Sequence, residues 1–242
     1  MVIGGSGLLG RAVSTAILEA GGKVVLASRN PDESKISGPA ESIKAIKIDV
    51  ADAKSVSGML EAAEAVFGPI DAVVNSSFPK NEHFGAKFED VQYEHFLDNV
   101  GSHIGSAFLV CQSAFAYFSN KGGGNIINIS SVYGSLPPRF EIYEGTPMTK
   151  EVEYVVAKAG VNQLTRYLAA YSKGKNIRVN CVSPGGILAD EPNAFIEKYN
   201  ARCLNKGMLD GSDVAGTVVY LLSDLSTYVN GQNITVDDGF TL

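Results

Sequence analysis

The chain has no cysteines spaced for a metal or a redox pair, no block of basic residues and no long apolar run. Its three cysteines, Cys111, Cys181 and Cys203, are odd in number and lack CxxC spacing. They read as buried thiols of a reducing compartment, which points to the cytoplasm. The three histidines, His83, His95 and His103, show no ligand spacing with cysteine or paired carboxylates, so no metal site is expected. With a formal net charge of −6 and no Lys/Arg cluster, the chain lacks the footprint of a nucleic-acid binder. No stretch approaches the roughly 18 consecutive apolar residues that a membrane-spanning helix needs. No apolar segment marks a signal peptide, and there is no internal repeat, low-complexity tract or Pro/Ser-rich linker. At 242 residues, 45% hydrophobic and 19% charged, the composition fits one large α/β domain over residues 1–242.

What is present is alternation. Short apolar runs read as strands at Val2–Ile3, Lys23–Ala27, Ala45–Ile48, Asp71–Asn75, Gly124–Ile129, Asn176–Val182 and Gln232–Val236. Between them lie helical patterns at Leu8–Ala20, Ala53–Val66, Val91–Asn120 (broken near Val100), Thr149–Ser172 and Ser212–Ser223. Strands alternating with helices predict a doubly wound Rossmann domain: about seven mostly parallel strands with helices on both faces. Three polar segments break the rhythm: Phe78–Asp90, Leu136–Thr149, and Ile187–Asp210 with a possible short helix. Each follows the C-terminal end of a strand, the edge where open α/β sheets bind ligands, so 137–150 and 187–210 are expected to cover a substrate. Only three residues precede the first glycine, which is short for a central strand. The natural chain is therefore expected to begin several residues earlier.

Gly4-Gly5-Ser6-Gly7-Leu8-Leu9-Gly10 joins the first strand to the first helix. Glycines at this junction let the backbone turn tightly and approach a pyrophosphate, which would rest on the helix N-terminus. Gly4, Gly7, Leu9 and Gly10 are thus candidate cofactor contacts. At the end of the second strand, where a carboxylate would accept from an adenosine 2′-hydroxyl, the chain has Ser28-Arg29. A guanidinium suits a 2′-phosphate, so NADP is favoured, with NAD still possible and a solvated surface arginine as the alternative. Asp49-Val50 and Asn75-Ser76-Ser77 end the next two strands, where they can line the cofactor or serve as caps and turns.

The stretch Tyr154-Val155-Val156-Ala157-Lys158 puts a phenol and an ammonium four residues apart, on one face of a helix. An ammonium beside a phenol stabilises the phenolate, which draws the pKa down from about 10 and makes the tyrosine a proton donor and acceptor for an alcohol/ketone pair. The spacing alone is weak. It gains weight from the glycine turn before it, from Ser130-Ser131 at a strand end, and from Asn180-Cys181-Val182-Ser183-Pro184-Gly185 after it.

In this order the motifs resemble the short-chain dehydrogenase/reductase family over nearly the whole chain. The resemblance implies that Gly4, Gly7 and Gly10 form the glycine-rich turn, that Asp49 is the adenine-side acid and that Asn75 begins the Asn-rich cofactor segment. It likewise implies Ser131 as the substrate-orienting serine, Tyr154 and Lys158 as the catalytic pair, and Pro184, Gly185 and Ile187 as the nicotinamide-side loop. Val236-Asp237-Asp238-Gly239-Phe240 resembles the usual ending. The stretches Pro138–Thr146 and Ser183–Leu188 resemble the branch of flagellin-modification oxidoreductases, which implies a sugar-type substrate in nonulosonic-acid biosynthesis by analogy.

The chain departs from the family pattern at four places. Ile3 replaces a threonine that braces the turn, and Phe78 puts a ring where glycine usually lets the cofactor approach. Tyr154 follows Ser131 at a longer interval than in most relatives, the excess being Pro137–Lys150. His103 stands where the family commonly has a catalytic asparagine, with Asn99 one turn earlier; a neutral imidazole could anchor a proton relay to Lys158, or simply satisfy a buried carbonyl. In the inserted loop Arg139 could hold a phosphate or carboxylate, while Glu141 and Tyr143 could meet sugar hydroxyls; the loop could equally be solvated or face a subunit. Apolar Val161, Leu164 and Leu168 on the Tyr154 helix, with the resemblance, point to a homodimer or homotetramer. Two rivals remain, a 3-oxoacyl-carrier-protein reductase and a cofactor-binding regulatory protein without turnover.

Overall fold

Strand residues buried on both sides of a sheet must be apolar on both faces, and the core sorts them accordingly. Val24 and Leu26 face one layer of the core, while Val25 and Ala27 face the other. The computed structural model describes residues 1–242 and contains one seven-stranded sheet. Its strands are β1 (Val2–Ile3), β2 (Val24–Ser28), β3 (Ile43–Lys47), β4 (Ala72–Asn75), β5 (Gly124–Ile129), β6 (Ile177–Pro184) and β7 (Asn233–Val236). They run in the order β3-β2-β1-β4-β5-β6-β7, and every pairing is parallel. The order reverses at β1, so a crevice opens beyond the C-terminal ends of β1 and β4.

Helices α1 (Leu8–Glu19) and α7 (Gly211–Leu222) cover one face, packing Val13, Leu18, Val214, Val218 and Leu221 on the sheet. The other face carries α2 (Ala53–Ser57), α3 (Met59–Phe67), α4 (Tyr93–Lys121) and α5 (Val152–Tyr171), with Met59, Leu60, Val110, Phe118 and Leu168 in the core. The break expected near Val100 is absent, and α4 runs unbroken for 29 residues. Gly101 and Gly105 tax helix propensity by about 1 kcal/mol each but remove no hydrogen bond, and no proline interrupts the segment. The interruption falls instead at Gly58, which divides the expected Ala53–Val66 helix into α2 and α3. Val161 and Leu168, expected to seek a partner subunit, are buried within the chain, and Leu164 packs on the same core.

Above the C-terminal edge a separate apolar cluster joins Tyr133, Tyr143, Phe195, Tyr199, Met208 and Phe240. The segment 187–210 closes on itself at its base through the Ile187–Leu209 bridge and contains α6 (Asn193–Asn200). Phe195 and Tyr199, four apart on α6, point into that cluster, and the Tyr199 ring stacks on Phe240 at 4.1 Å. Asp238 fixes the far end of the segment. Its carboxylate accepts from the N–H groups of Asn205 (3.0 Å), Lys206 (2.6 Å) and Gly207 (2.8 Å).

Candidate active site

Two cavities meet over the switch point. The first, about 420 Å³, is lined by Gly4, Gly7, Arg29, Asp49 and Val50. The second, about 700 Å³, is lined by Leu9, Ser131, Tyr154, Lys158 and the loop Pro184, Gly185 and Ile187. Ser76, Phe78 and Lys80 belong to the walls of both.

The glycine turn explains itself by crowding. Gly4 has φ +73°, and a Cβ there would lie 2.6 Å from the Ser76 carbonyl oxygen. A Cβ on Gly10 would overlap the Gly4 carbonyl, so the first turn of α1 can sit against the loop only with glycine there. Gly7 caps α1 without a side chain, which leaves first-turn N–H groups facing the crevice. Ser6 Oγ and Ser28 Oγ lie 3.1 Å apart and tie the turn to the end of β2. Arg29 is exposed beside Ser28. Asp49 accepts from the Ala51 N–H at 3.0 Å while still lining the cavity. Asn75 behaves differently. Its side-chain oxygen accepts from Ser77 N (3.2 Å) and Ser77 Oγ (2.7 Å), so it shapes the loop after β4 and does not line either cavity.

These residues fit a dinucleotide: a glycine-walled approach, open N–H groups at a helix start, and two joined lobes for its two halves. Phe78 is the aromatic side chain common to both walls. Its ring lies 5.3 Å from Tyr154, 5.0 Å from His103 and 5.3 Å from Phe84, centroid to centroid.

In the larger cavity β5 delivers Ser131, which starts a short turn and accepts from Tyr133 N at 3.2 Å. Helix α5 presents Tyr154 and Lys158. The Lys158 amine is buried, donates to the Ile129 carbonyl at 2.9 Å, and lies 5.5 Å from the Tyr154 ring centroid. Burial pushes Tyr154 up to about 12, against the pull of the facing Ser131 hydroxyl, with Glu151 adding to the rise. Burial also depresses Lys158 to about 8, where the nearby Lys150 charge assists. The spacing predicts a phenol lowered by Lys158; the structure has a raised one, because burial disfavours the phenolate and the amine is turned to a backbone carbonyl. His103 is buried, and burial, then the Lys158 charge, holds it down at about 3, so its imidazole is neutral. Asn99 accepts from the Asn81 N–H at 3.0 Å and braces the loop after β4.

The inserted loop divides. Tyr143 lines the cavity, and its hydroxyl donates to that of Tyr133 at 3.3 Å. Arg139 and Glu141 do not line it. Arg139 donates to the Leu242 carbonyl at 2.9 Å and lies over the Phe240 ring, while Glu141 pairs with Arg202 at 3.0 Å. Both side chains tie the loop to neighbouring segments and do not reach into the cavity. Besides Lys158, the charged groups beside Tyr154 are Lys150, the last residue of the inserted 137–150 loop, and Glu151, which belongs to no sequence motif.

A family model described as enoyl-(acyl carrier protein) reductase matches residues 6–241. The chain is also similar to the post-translational flagellin modification protein A of Campylobacter coli, with 37% identity over 100% of this chain and 97% of that protein. It belongs to the short-chain dehydrogenase/reductase family. Among its other relatives is a 3-oxoacyl-acyl-carrier-protein reductase of Staphylococcus aureus, 29% identical over 99% of this chain and 96% of the relative. A short-chain dehydrogenase of Leptospira borgpetersenii, solved with bound NAD+, superposes with a TM-score of 0.88 at 30% identity, covering 100% of this chain and 91% of that one. As a member of this family the chain is an oxidoreductase with a small-molecule substrate, and none of its helices is long and apolar enough to cross a membrane.

Proposed function

We propose that this enzyme transfers hydride between NAD(P) and a carbonyl or secondary alcohol of a sugar-type substrate, in the cytoplasm and as a homo-oligomer. The observation that carries the reading is that Ser131, Tyr154 and Lys158 line one cavity with the Pro184–Ile187 loop, next to the glycine turn. The bound cofactor supplies the hydride. Tyr154, protonated at neutral pH with its pKa near 12, donates the proton to the nascent alkoxide in reduction and recovers it in oxidation. Ser131 donates to the same oxygen as negative charge develops. Lys158, charged below about 8, supplies positive potential beside the phenol, and the neutral His103 can relay a proton from the Lys158 side. Arg29, exposed at the rim of the smaller cavity, favours the 2′-phosphate of NADP, while NAD remains open to the enzyme. The sugar reading draws on the likeness to the C. coli protein and on a cavity wall of aromatic rings and charged groups.

The 3-oxoacyl-carrier-protein reductase reading draws on the S. aureus relative. An acidic carrier would call for a basic rim, and this rim mixes Lys80 and Lys150 with Glu151 and Glu191.

The test is NADPH and NADH oxidation with a panel of keto-sugars and 3-oxoacyl thioesters. Tyr154→Phe is expected to lower kcat by about 10²–10⁴-fold while cofactor binding persists. His103→Ala is expected to lower it about tenfold or more if the relay operates. A Tyr154→Phe enzyme with full turnover would end the assignment, and full turnover in His103→Ala would end the relay.

A further inference from the structure

Lys150 and Glu151 form an ion pair within the wall of the larger cavity, immediately before α5. Lys150 Nζ lies 3.1 Å from Glu151 Oε2, and the two side chains are only 19% and 15% exposed. The same Nζ lies 4.3 Å from the Tyr154 ring centroid, nearer than Lys158, and 5.6 Å from that of Tyr133. Glu151 Oε2 is buried yet takes part in no hydrogen bond, since the contact with Lys150 is close but badly directed. That oxygen is closed off by the chain, so a ligand in the cavity reaches the carboxylate through Oε1, which stays exposed and takes no bond from the protein.

We infer that Lys150 and Glu151 are specificity-determining residues that recognise a hydroxyl vicinal to the reacting carbon, selecting α-hydroxyketones and vicinal diols over plain ketones; this rests on the oxidoreductase reading above. The chemistry narrows the partner. A carboxylate or phosphate would meet Glu151, and an ammonium would meet Lys150, so either charged group faces a like charge at contact distance. A neutral hydroxyl suffers neither. It donates to Glu151 Oε1 and accepts from Lys150 Nζ, engaging both with one group. The pair stands at the reacting end of the cavity, with Lys150 Nζ over the Tyr154 ring itself. The recognised hydroxyl therefore sits on a carbon next to the one whose oxygen meets Tyr154 and Ser131. Across the cavity Tyr133, Tyr143 and Phe195 offer flat apolar faces for the C–H side of a ring. A 3-oxoacyl chain, with methylenes flanking its ketone, would leave the pair unsatisfied.

The probe is a matched pair of ketones, 2-hydroxycyclohexanone and cyclohexanone, assayed by NADPH and NADH oxidation. The wild-type enzyme is expected to favour the hydroxyketone in kcat/KM by at least about tenfold, the range of one well-placed polar contact. Glu151→Gln, isosteric but uncharged, is expected to bring the ratio towards unity, Lys150→Met to lower it, and Glu151→Asp to retain part of it. Because the readout is a ratio, general damage to the site or the fold scales both ketones alike and leaves it unmoved. A Glu151→Gln enzyme that keeps the wild-type ratio overturns the inference. A wild-type enzyme that reduces cyclohexanone but shows no preference overturns it too, with the carbonyl-reductase reading intact. If the wild type reduces neither ketone nor any member of the wider panel, that reading falls and takes this inference with it.

Discussion

Tyr154 and Lys158 are displaced in opposite directions by one cause, removal from water, which disfavours whichever form is charged. The phenol stays protonated and the amine gives up its proton earlier. In the reductive direction the proposed proton donor, Tyr154, is therefore present throughout the neutral range, and the group that changes state is Lys158. It is a cation below about 8 and neutral above, so reductive kcat/KM is expected to be level up to that pH and to decline beyond it. A pH profile at saturating cofactor checks this, and a profile still level at pH 10 would remove Lys158 from the mechanism. His103 is neutral across the same range, so any contribution it makes is that of an imidazole with one donor and one acceptor. At this scale much of the site was legible from spacing. The Tyr154–Lys158 interval, the Ser131 strand end and the crowded Gly4 and Gly10 all lie where the motifs put them, because local backbone geometry dictates each. The direction of the Tyr154 shift was not legible, since it depends on burial and on the Ile129 carbonyl that captures the amine, neither of which a linear pattern records.

Strand ends and the segments above them decide what the site can admit. The 187–210 segment closes over the larger cavity and is held by Asp238, whose one carboxylate satisfies the N–H groups of Asn205, Lys206 and Gly207. Those backbone bonds hold its carboxyl below the usual carboxylate range. Asp238→Ala is expected to loosen residues 205–207 and their attachment to the C-terminal residues, raising substrate KM more than it lowers kcat. Faster amide exchange confined to that segment would be the structural signature, and unchanged exchange there would contradict the clamp. The strands and most helices were readable from apolar runs and periodicity, with ends moved by a few residues: β6 extends to Pro184 and α5 begins at Val152. The unbroken α4 was misread because its mid-helix glycines look like a stop. Nothing in one sequence reveals that packing of α4 on α5 and on the sheet outweighs their low propensity. The roles of Arg139 and Glu141 were hidden for a related reason, as their partners Leu242 and Arg202 lie far along the chain.

For the molecule as a whole, the layered α/β architecture followed from alternation alone, while its outer surface did not. The residues that suggested a second subunit, Val161 and Leu168, are consumed by the chain's own core. The apolar surface left on α4 and α5 lies elsewhere, at Phe108 (48% exposed), Val156 (43%), Tyr167 (62%) and Tyr171 (60%). The rings of Tyr167 and Tyr171 stack in parallel, 5.9 Å apart. Such a patch is the natural seat of the proposed homo-oligomer. Tyr167→Glu combined with Tyr171→Glu is expected to lower the mass measured by light scattering to that of one chain at micromolar concentration. A doubly substituted protein of unchanged mass would move the subunit contact to another face.

Phe78 stands in the wall shared by the two lobes, in a polypeptide that contains no tryptophan. A ligand extending through both lobes passes its ring, so the side chain is placed to report on both chambers. An indole substituted there would be the molecule's only long-wavelength emitter. Its fluorescence would distinguish an adenine nucleotide resting in one chamber from a complete coenzyme threaded through both.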